Sequence, residues 1–255
     1  LSDADFWSDR VRRYGHTGWS DAAVYAYDQP LRLAAFRKLL DARPGLQSTA
    51  ALDFGCGSGD FCVVLAEHFA QVVGYDLSAR VLAVAVQRNS GERIRYTIDR
   101  DEALGQRYAL ILCVTVLQHV VDDAELQALV RRLADALLPG GQVVVLETFA
   151  GAQPAASDYL KRRTLAALEE VFADAGLVLR SQRGFYHPSE RPTTAFLAYR
   201  SRLTVRLLAR LTHWRVPLVP GWLHALAARF AQADHEALDQ PDSPTQWLVF
   251  EGRTG

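Results

Sequence analysis

The sequence predicts an α/β fold: a seven-stranded, mostly parallel, doubly wound sheet with an N-terminal lid and a helical insertion before the last strand. Three observations carry that prediction. Short apolar runs alternate with helical patterns through the middle of the chain, the order that builds a parallel sheet from crossover units. The first run, Ala50, Ala51, Leu52 and Phe54, ends in Gly55, Gly57 and Gly59 before a helix begins. The second, Gln71 to Tyr75, stops at Asp76, 76 − 57 = 19 positions beyond the middle glycine. An acid at about that spacing is where a doubly wound sheet places a carboxylate that accepts from ribose hydroxyls.

The remaining elements follow in order. Residues 3–29 are dense in aromatic and polar groups and fit few periodic templates, with Gly15 and Gly18 flanking His16 and Thr17 in a loop and Asp21 placed to cap a short helix. Pro30 reads as a first helical position, followed by Leu31, Leu33, Phe36, Leu39 and Leu40 at helical spacing. After Asp76, Ser78 caps a helix running to about Asn89, and Ile94 to Ile98 forms a third strand ending at Asp99. Tyr108 to Val114 is almost wholly apolar, as a central parallel strand is. Asp122 and Asp123 open a helix whose Leu126, Leu129, Leu133, Leu137 and Leu138 continue to Pro139-Gly140-Gly141, read as a helix stop and tight turn. Val143 to Leu146 is the fifth strand and ends at Glu147; a helix from about Asp158 to Ala175 precedes the sixth, Leu177 to Tyr186, and Gln246 to Glu251 is the seventh.

Composition sets broad bounds. A chain of 255 residues with net charge −1, 49% hydrophobic and 22% charged residues fits a single domain over residues 1–255, with residues 1–45 as lid and 187–243 as insertion. Nothing global points to nucleic acid. Cys56, Cys62 and Cys113 lack metal-ligand spacing, so no metal site is expected, and they read as buried reduced thiols of a cytoplasmic protein. No apolar run is long enough to span a bilayer. The absence of methionine, with Leu1 first, reads as a piece trimmed from a longer, multidomain chain.

The motif Asp53-Phe54-Gly55-Cys56-Gly57-Ser58-Gly59 has G-x-G-x-G spacing and lacks the G-x-G-x-x-G of pyrophosphate binders, which disfavours a nicotinamide oxidoreductase. It resembles the first motif of the class I S-adenosylmethionine-dependent methyltransferases, and the helix, Leu-Pro-Gly-Gly and strand order extends the likeness over about residues 48–150. The resemblance implies a Rossmann-like fold and S-adenosyl-L-methionine as cofactor. It places Gly55, Gly57 and Gly59 at the amino-acid portion, Asp76 on the ribose, and Asp99, or Asp101 in its place, at the adenine amino group. Asp53, Leu77 and Val114 complete the implied cofactor-binding set. In that family a segment like 1–45 forms a lid; a helix packed on the sheet edge is the other reading.

Displacement at a sulfonium methyl depends on positioning and on removal of the acceptor's proton. His119 after the fourth strand, Glu147 after the fifth and His16 in the lid are the titratable candidates for that base. Histidine is favoured because its ordinary pKa lies near neutrality. The plain alternative is that His119 anchors its loop. Residues Arg13 to Gln29 are similar to segments of bacterial enzymes associated with cell-surface polysaccharide assembly. That likeness implies a sugar hydroxyl as acceptor, on a glycan or a sugar-containing precursor. Small-molecule methylation in quinone or natural-product pathways, and cofactor binding without catalysis, stay open beside it.

From Arg191 to Ala233 there is no acidic residue, whereas seven arginines occur. Arg202, Arg206 and Arg210 fall four apart, as on one face of a basic amphipathic helix. Such a face suits an anionic acceptor or peripheral contact with the inner face of a membrane; an ordinary solvated helix face is the alternative.

Overall fold

The structure, a computed structural model, describes residues 3–41, 49–151, 155–157, 159–202, 204–207 and 221–252. Its centre is a sheet of seven strands: β1 (Ala50–Phe54), β2 (Gln71–Tyr75), β3 (Ile94–Thr97), β4 (Tyr108–Val114), β5 (Leu137–Thr148), β8 (Leu177–Phe185) and β9 (Thr245–Gly252). The order is β3-β2-β1-β4-β5-β9-β8, parallel as far as β5, with β9 antiparallel to both of its neighbours. Order reverses between β1 and β4, so their carboxyl ends splay apart and leave a crevice there.

Alternation along the strands sorts side chains into two cores. Leu110, Leu112, Val144, Leu146 and Val249 face one layer, built on α2 (Ala22–Asp41), α3 (Asp60–His68), α8 (Thr194–Ser201) and α9 (Gly221–Gln232). Ile111, Cys113, Val143, Val145 and Phe250 face the other, built on α6 (Asp123–Asp135) and α7 (Leu165–Asp174). The predicted Ser78 cap is present: its hydroxyl accepts from the Val81 amide at the start of α4 (Ala79–Asn89).

Several elements differ from the sequence reading. Residues 3–29 hold α1 (Asp3–Tyr14) and the first turns of α2, where only a short helix capped by Asp21 was expected. Asp21 caps α2 itself, accepting from the amides of Ala23 and Val24, so Pro30 lies inside that helix and not at its first position. An interior proline costs about 3 kcal/mol, and burial of Tyr27, Leu31, Ala35, Phe36 and Leu40 offsets it. α6 stops at Asp135, and Leu137 to Gly141 already belong to β5. Leu137 pairs with Tyr108 across a register shift, and Gly140 takes φ +74°. A short α5 (Arg100–Leu104) follows β3. In place of one helix over 158–175 there is a hairpin, β6 (Ala155–Ser157) and β7 (Leu160–Arg162), and then α7 capped by Thr164; Asp158 lies outside the described residues.

The basic helix is also interrupted. α8 ends at Ser201, Arg202 has extended backbone, and its guanidinium stacks over Phe230 at 4.9 Å. Residues 204–207 are helical again, and Arg210 lies outside the described residues. Among the described residues no helix is long and apolar enough to cross a membrane.

Gly184 shows how closely β8 approaches the segment before β9. A Cβ there would lie 1.7 Å from the carbonyl oxygen of Gln240, a backbone atom that cannot swing aside. Gly184→Ala should therefore cost about 2–3 kcal/mol and lower the thermal midpoint by about 5 °C or more. An unchanged melt would show that the segment yields.

Candidate functional site

A cavity of about 550 Å³ opens at the carboxyl edge of β1, β2 and β4. Its floor is the glycine turn. Gly55 and Cys56 both donate their amides to the Tyr75 carbonyl at 2.8 Å, which bends the chain away from β1 as soon as the strand ends. Gly55, Gly57 and Gly59 have φ of +80°, +54° and +81°, the left-handed region that side chains with a Cβ rarely occupy. Space is short as well: Cβ atoms would fall 2.4 Å from Val116 Cγ2, 2.5 Å from Thr17 Oγ1 and 2.3 Å from Tyr96 Oη.

Three carboxylates border this floor. Asp76 Oδ2 accepts from the Gly57 amide at 3.1 Å and its Oδ1 from the Ser78 amide at 3.0 Å, which fixes the plane of the group. Burial pushes its pKa up to about 6, against the two amides, which favour the charged form. Asp53, 1% exposed, accepts from Cys62 Sγ at 3.3 Å and is pushed up to about 7, chiefly by burial. Asp60 lines the cavity at the first position of α3. A floor of acids with glycine in place of bulk suits a cationic, polyhydroxylated ligand.

The opposite wall comes from the end of β4. Thr115 has φ +53°, an outlier for a β-branched residue that costs about 1–3 kcal/mol and persists where surrounding structure enforces it. Beyond it, the 3₁₀ turn Leu117–His119 carries His119 into the cavity. Its Nδ1 lies 2.9 Å from the Tyr159 carbonyl oxygen. A carbonyl only accepts, so Nδ1 carries the proton and the lone pair of the neutral ring sits on Nε2. Trp7 packs edge-on to this imidazole at 4.8 Å, and Phe6 stacks on Tyr159 at 5.1 Å.

The methyltransferase-domain family profile matches residues 25–224. The chain belongs to that family. Relatives of this methyltransferase-domain protein include the dTDP-3-amino-3,6-dideoxy-alpha-D-glucopyranose N,N-dimethyltransferase of Streptomyces fradiae, 36% identical over 115 residues, 45% of each chain. A ubiquinone biosynthesis O-methyltransferase of Chelativorans sp. is 34% identical over 164 residues, 59% of this chain and 58% of that one. The chain thus spans about half the length of these curated relatives. Among solved structures, an S-adenosylmethionine-dependent methyltransferase from Mesorhizobium loti superposes with TM-score 0.54 at 21% identity, over 87% of this chain and 99% of that one. Magnesium protoporphyrin IX methyltransferase from Synechocystis PCC 6803, with bound SAH, gives 0.57 at 20% identity, over 70% and 90%. These likenesses establish the fold.

In this methyltransferase-domain protein, Asp53, Gly55, Gly57, Asp76, Leu77, Val114 and His119 line one cavity, and Gly59 closes the turn beneath it. Four further expected site residues lie outside the lining. Asp99 caps α5, its Oδ1 accepting from the amides of Asp101 and Glu102, and the neighbouring Arg100 lines the cavity in its place. Asp101 is paired with Arg132 at 2.7 Å. His16 is buried flat against the Tyr25 ring at 3.4 Å and pushed down to about 3 by burial and by Arg10 and Arg88, so it stays neutral. Glu147 is 3% exposed and works on the loop: its Oε1 accepts from the Leu117 amide at 2.7 Å, which holds the turn that carries His119.

Trp7, Tyr25, Arg32, Asp60 and Thr115 line the cavity without having been singled out. Asp60 had a readable signal, an acid opening the helix right after the third glycine. The left-handed backbone of Thr115 had none, because nothing in a β-branched side chain announces it.

Glu147 gives a prediction with a definite sign. Burial pushes its pKa from 4.5 up to about 8, so between those values the folded state holds a proton that the unfolded state has released. Stability from this group is complete below about pH 4.5 and is lost as pH rises through about 8. Glu147→Gln keeps an acceptor for Leu117 and removes the titration. Relative to wild type the variant should gain on the order of 4 kcal/mol between pH 5 and pH 9, read from urea unfolding. Parallel pH profiles for the two proteins would refute it.

Proposed function

We propose that this chain is an S-adenosylmethionine-dependent methyltransferase whose acceptor is a small, ring-shaped molecule, best read as a saccharide methylated at a hydroxyl. The observation that carries the reading is His119, whose ring packs against Trp7 and Tyr159 in the same cavity as the glycine turn and Asp76. S-adenosylmethionine supplies, when bound, an electrophilic methyl group on a cationic sulfur.

The residues present fit that cofactor. Gly55, Gly57 and Gly59 leave room for close backbone approach, and Asp76, already oriented by two amides, accepts from ribose hydroxyls. Asp53 lies in the same floor, and Leu77 and Val114 offer apolar contact. The adenine role foreseen for Asp99 passes to the side chains around Leu77 and Arg100, because the Asp99 carboxylate is engaged with α5. His119 takes the acceptor's proton on Nε2 while the Tyr159 carbonyl steadies the resulting imidazolium through Nδ1. Glu147 positions that base through the Leu117 amide.

Aromatic faces stack on sugar rings, and the Streptomyces fradiae relative is named for an amino-sugar nucleotide. Arg32, 8% exposed and held by Asp28 at 2.6 Å, offers a cation inside the same cavity for an acceptor oxygen. The ubiquinone-biosynthesis relatives support a small molecule of a quinone pathway as the second reading. Contact with a membrane surface stays attached to the arginine-rich stretch as a proposal.

A panel of nucleotide-linked sugars and catechols, assayed by mass gain of one methyl group, separates the two acceptors. On the accepted substrate His119→Ala should lower kcat by about 10² to 10⁴ with SAH affinity intact. Asp76→Ala should weaken SAH binding by more than about tenfold. A His119 variant that keeps a tenth or more of kcat, with chemistry rate-limiting, would remove it as the base. Unchanged SAH affinity in the Asp76 variant would remove that carboxylate from the cofactor site.

A further inference from the structure

The roof of the cavity is tied to its floor at one carboxylate. Thr17, Gly18, Tyr25 and Gln29 cover the glycine turn, and Thr17 Oγ1 lies so near that a Cβ on Gly57 would meet it at 2.5 Å. Four side chains donate to Asp60. Tyr25 Oη reaches Oδ2 at 3.3 Å and Gln29 Nε2 reaches the same oxygen at 3.1 Å. Both come from the roof, four residues apart on one face of α2. Ser58 Oγ, at 2.8 Å from Oδ2, and Asn89 Nδ2, at 3.1 Å from Oδ1, come from the floor.

The two pairs play different parts. Asn89 is itself fixed, since its Nδ2 also donates to the Ser58 carbonyl at 2.8 Å and its own carbonyl accepts from Tyr96 Oη at 2.7 Å. Ser58 and Asn89 therefore keep Asp60 aimed at the roof whether or not Tyr25 and Gln29 are bound to it. That is an acceptor held ready for two donors that can leave and return. Other polar ties between roof and floor lie to one side, at Arg88 Nη1 to the Gly15 carbonyl, 2.7 Å, and between the hydroxyls of Ser8 and Ser78, 2.8 Å. They anchor the end of α1 and the start of the loop.

We propose that Asp60 is the latch of this roof: its bonds to Tyr25 and Gln29 hold residues 17–29 over a ligand on the glycine turn, and their release sets how fast the spent cofactor leaves. Asp60 is in this sense a positioning residue. The ligand's identity rests on the reading above; the latch itself does not.

The test uses two variants, Asp60→Ala on the floor and the pair Tyr25→Phe, Gln29→Leu on the roof, which leaves Asp60 with Ser58 and Asn89. Hydrogen exchange of the cofactor-free chain should show amides 17–29 exchanging about tenfold faster in both variants, with α6 unchanged. Stopped-flow release of SAH should quicken by about fivefold or more in both, and the triple variant should add nothing further. Exchange within about twofold of wild type would overturn the latch. So would faster release in Asp60→Ala alone, which would make Asp60 a direct ligand contact, or effects that multiply in the triple variant. If SAH fails to bind the wild type, the cofactor reading falls, and the exchange contrast by itself supports or sinks the latch.

Discussion

A chain reversal that only glycine makes easily sets the geometry of the whole carboxyl edge. Two amides, of Gly55 and Cys56, converge on the carbonyl of Tyr75, so the end of β1 is tied to the end of β2 across the turn. The left-handed backbone at Gly55, Gly57 and Gly59 that permits this also brings the Gly57 amide onto Asp76. Turn and acid are one hydrogen-bonded unit, and each holds the other in place. The third glycine then starts α3 with Asp60 in its first turn, so the same reversal that places Asp76 also places the carboxylate that meets the roof.

Buried carboxylates are costly, and among the described residues Asp28, Asp53, Asp76 and Glu147 lie buried within or behind the site. Each has partners that define what it does. Asp28 takes the Trp19 indole at 2.7 Å and the Arg32 guanidinium at 2.6 Å, which ties the loop before α2 to the helix itself. Glu147 holds the 3₁₀ turn below His119, and burial keeps it protonated through neutral pH, with one oxygen still able to accept. The raised values, from about 6 at Asp76 to about 8 at Glu147, come first from desolvation, and the amides bonded to these two carboxyl groups work against it.

Wherever local chemistry and sheet periodicity agreed, the sequence was legible. The apolar run of β4, the Ser78 cap and the glycine turn followed by Asp76 all say the same thing at two levels, so the sheet and its glycine-turn edge could be read. Disagreement marks the failures. Pro30 argues locally for a helix start, yet the buried face from Tyr27 to Leu40 carries α2 through it. Pro139-Gly140-Gly141 argues for a turn, yet pairing of Leu137 with Tyr108 draws the segment into β5. For Glu147 and Asp99 the position at a strand end was right and the aim of the carboxylate was not, because a side chain's choice between cavity and neighbouring amides is settled by tertiary geometry.

That geometry also gives the insertion between β8 and β9 a structural part, whatever its arginines do. α2 presents Tyr25 and Gln29 to Asp60 on one face, and on another it is gripped by the insertion. Tyr27 Oη donates to Asp234 at 2.7 Å, and Thr193 Oγ1 donates to the same carboxylate at 2.5 Å. Tyr199 Oη reaches the Ala23 carbonyl at 3.1 Å, and Arg200 pairs with Asp21, the residue that caps α2, at 2.9 Å. Tyr27, Phe196 and Tyr199 pack as one aromatic cluster between them. The insertion thus fixes the back of the helix whose front closes the cofactor cavity. Roof position is shared between a weakly held front, two neutral donors on Asp60, and a firmly packed back. Motion of the roof is accordingly expected within residues 17–29, while the helix beyond Gln29 stays with the core.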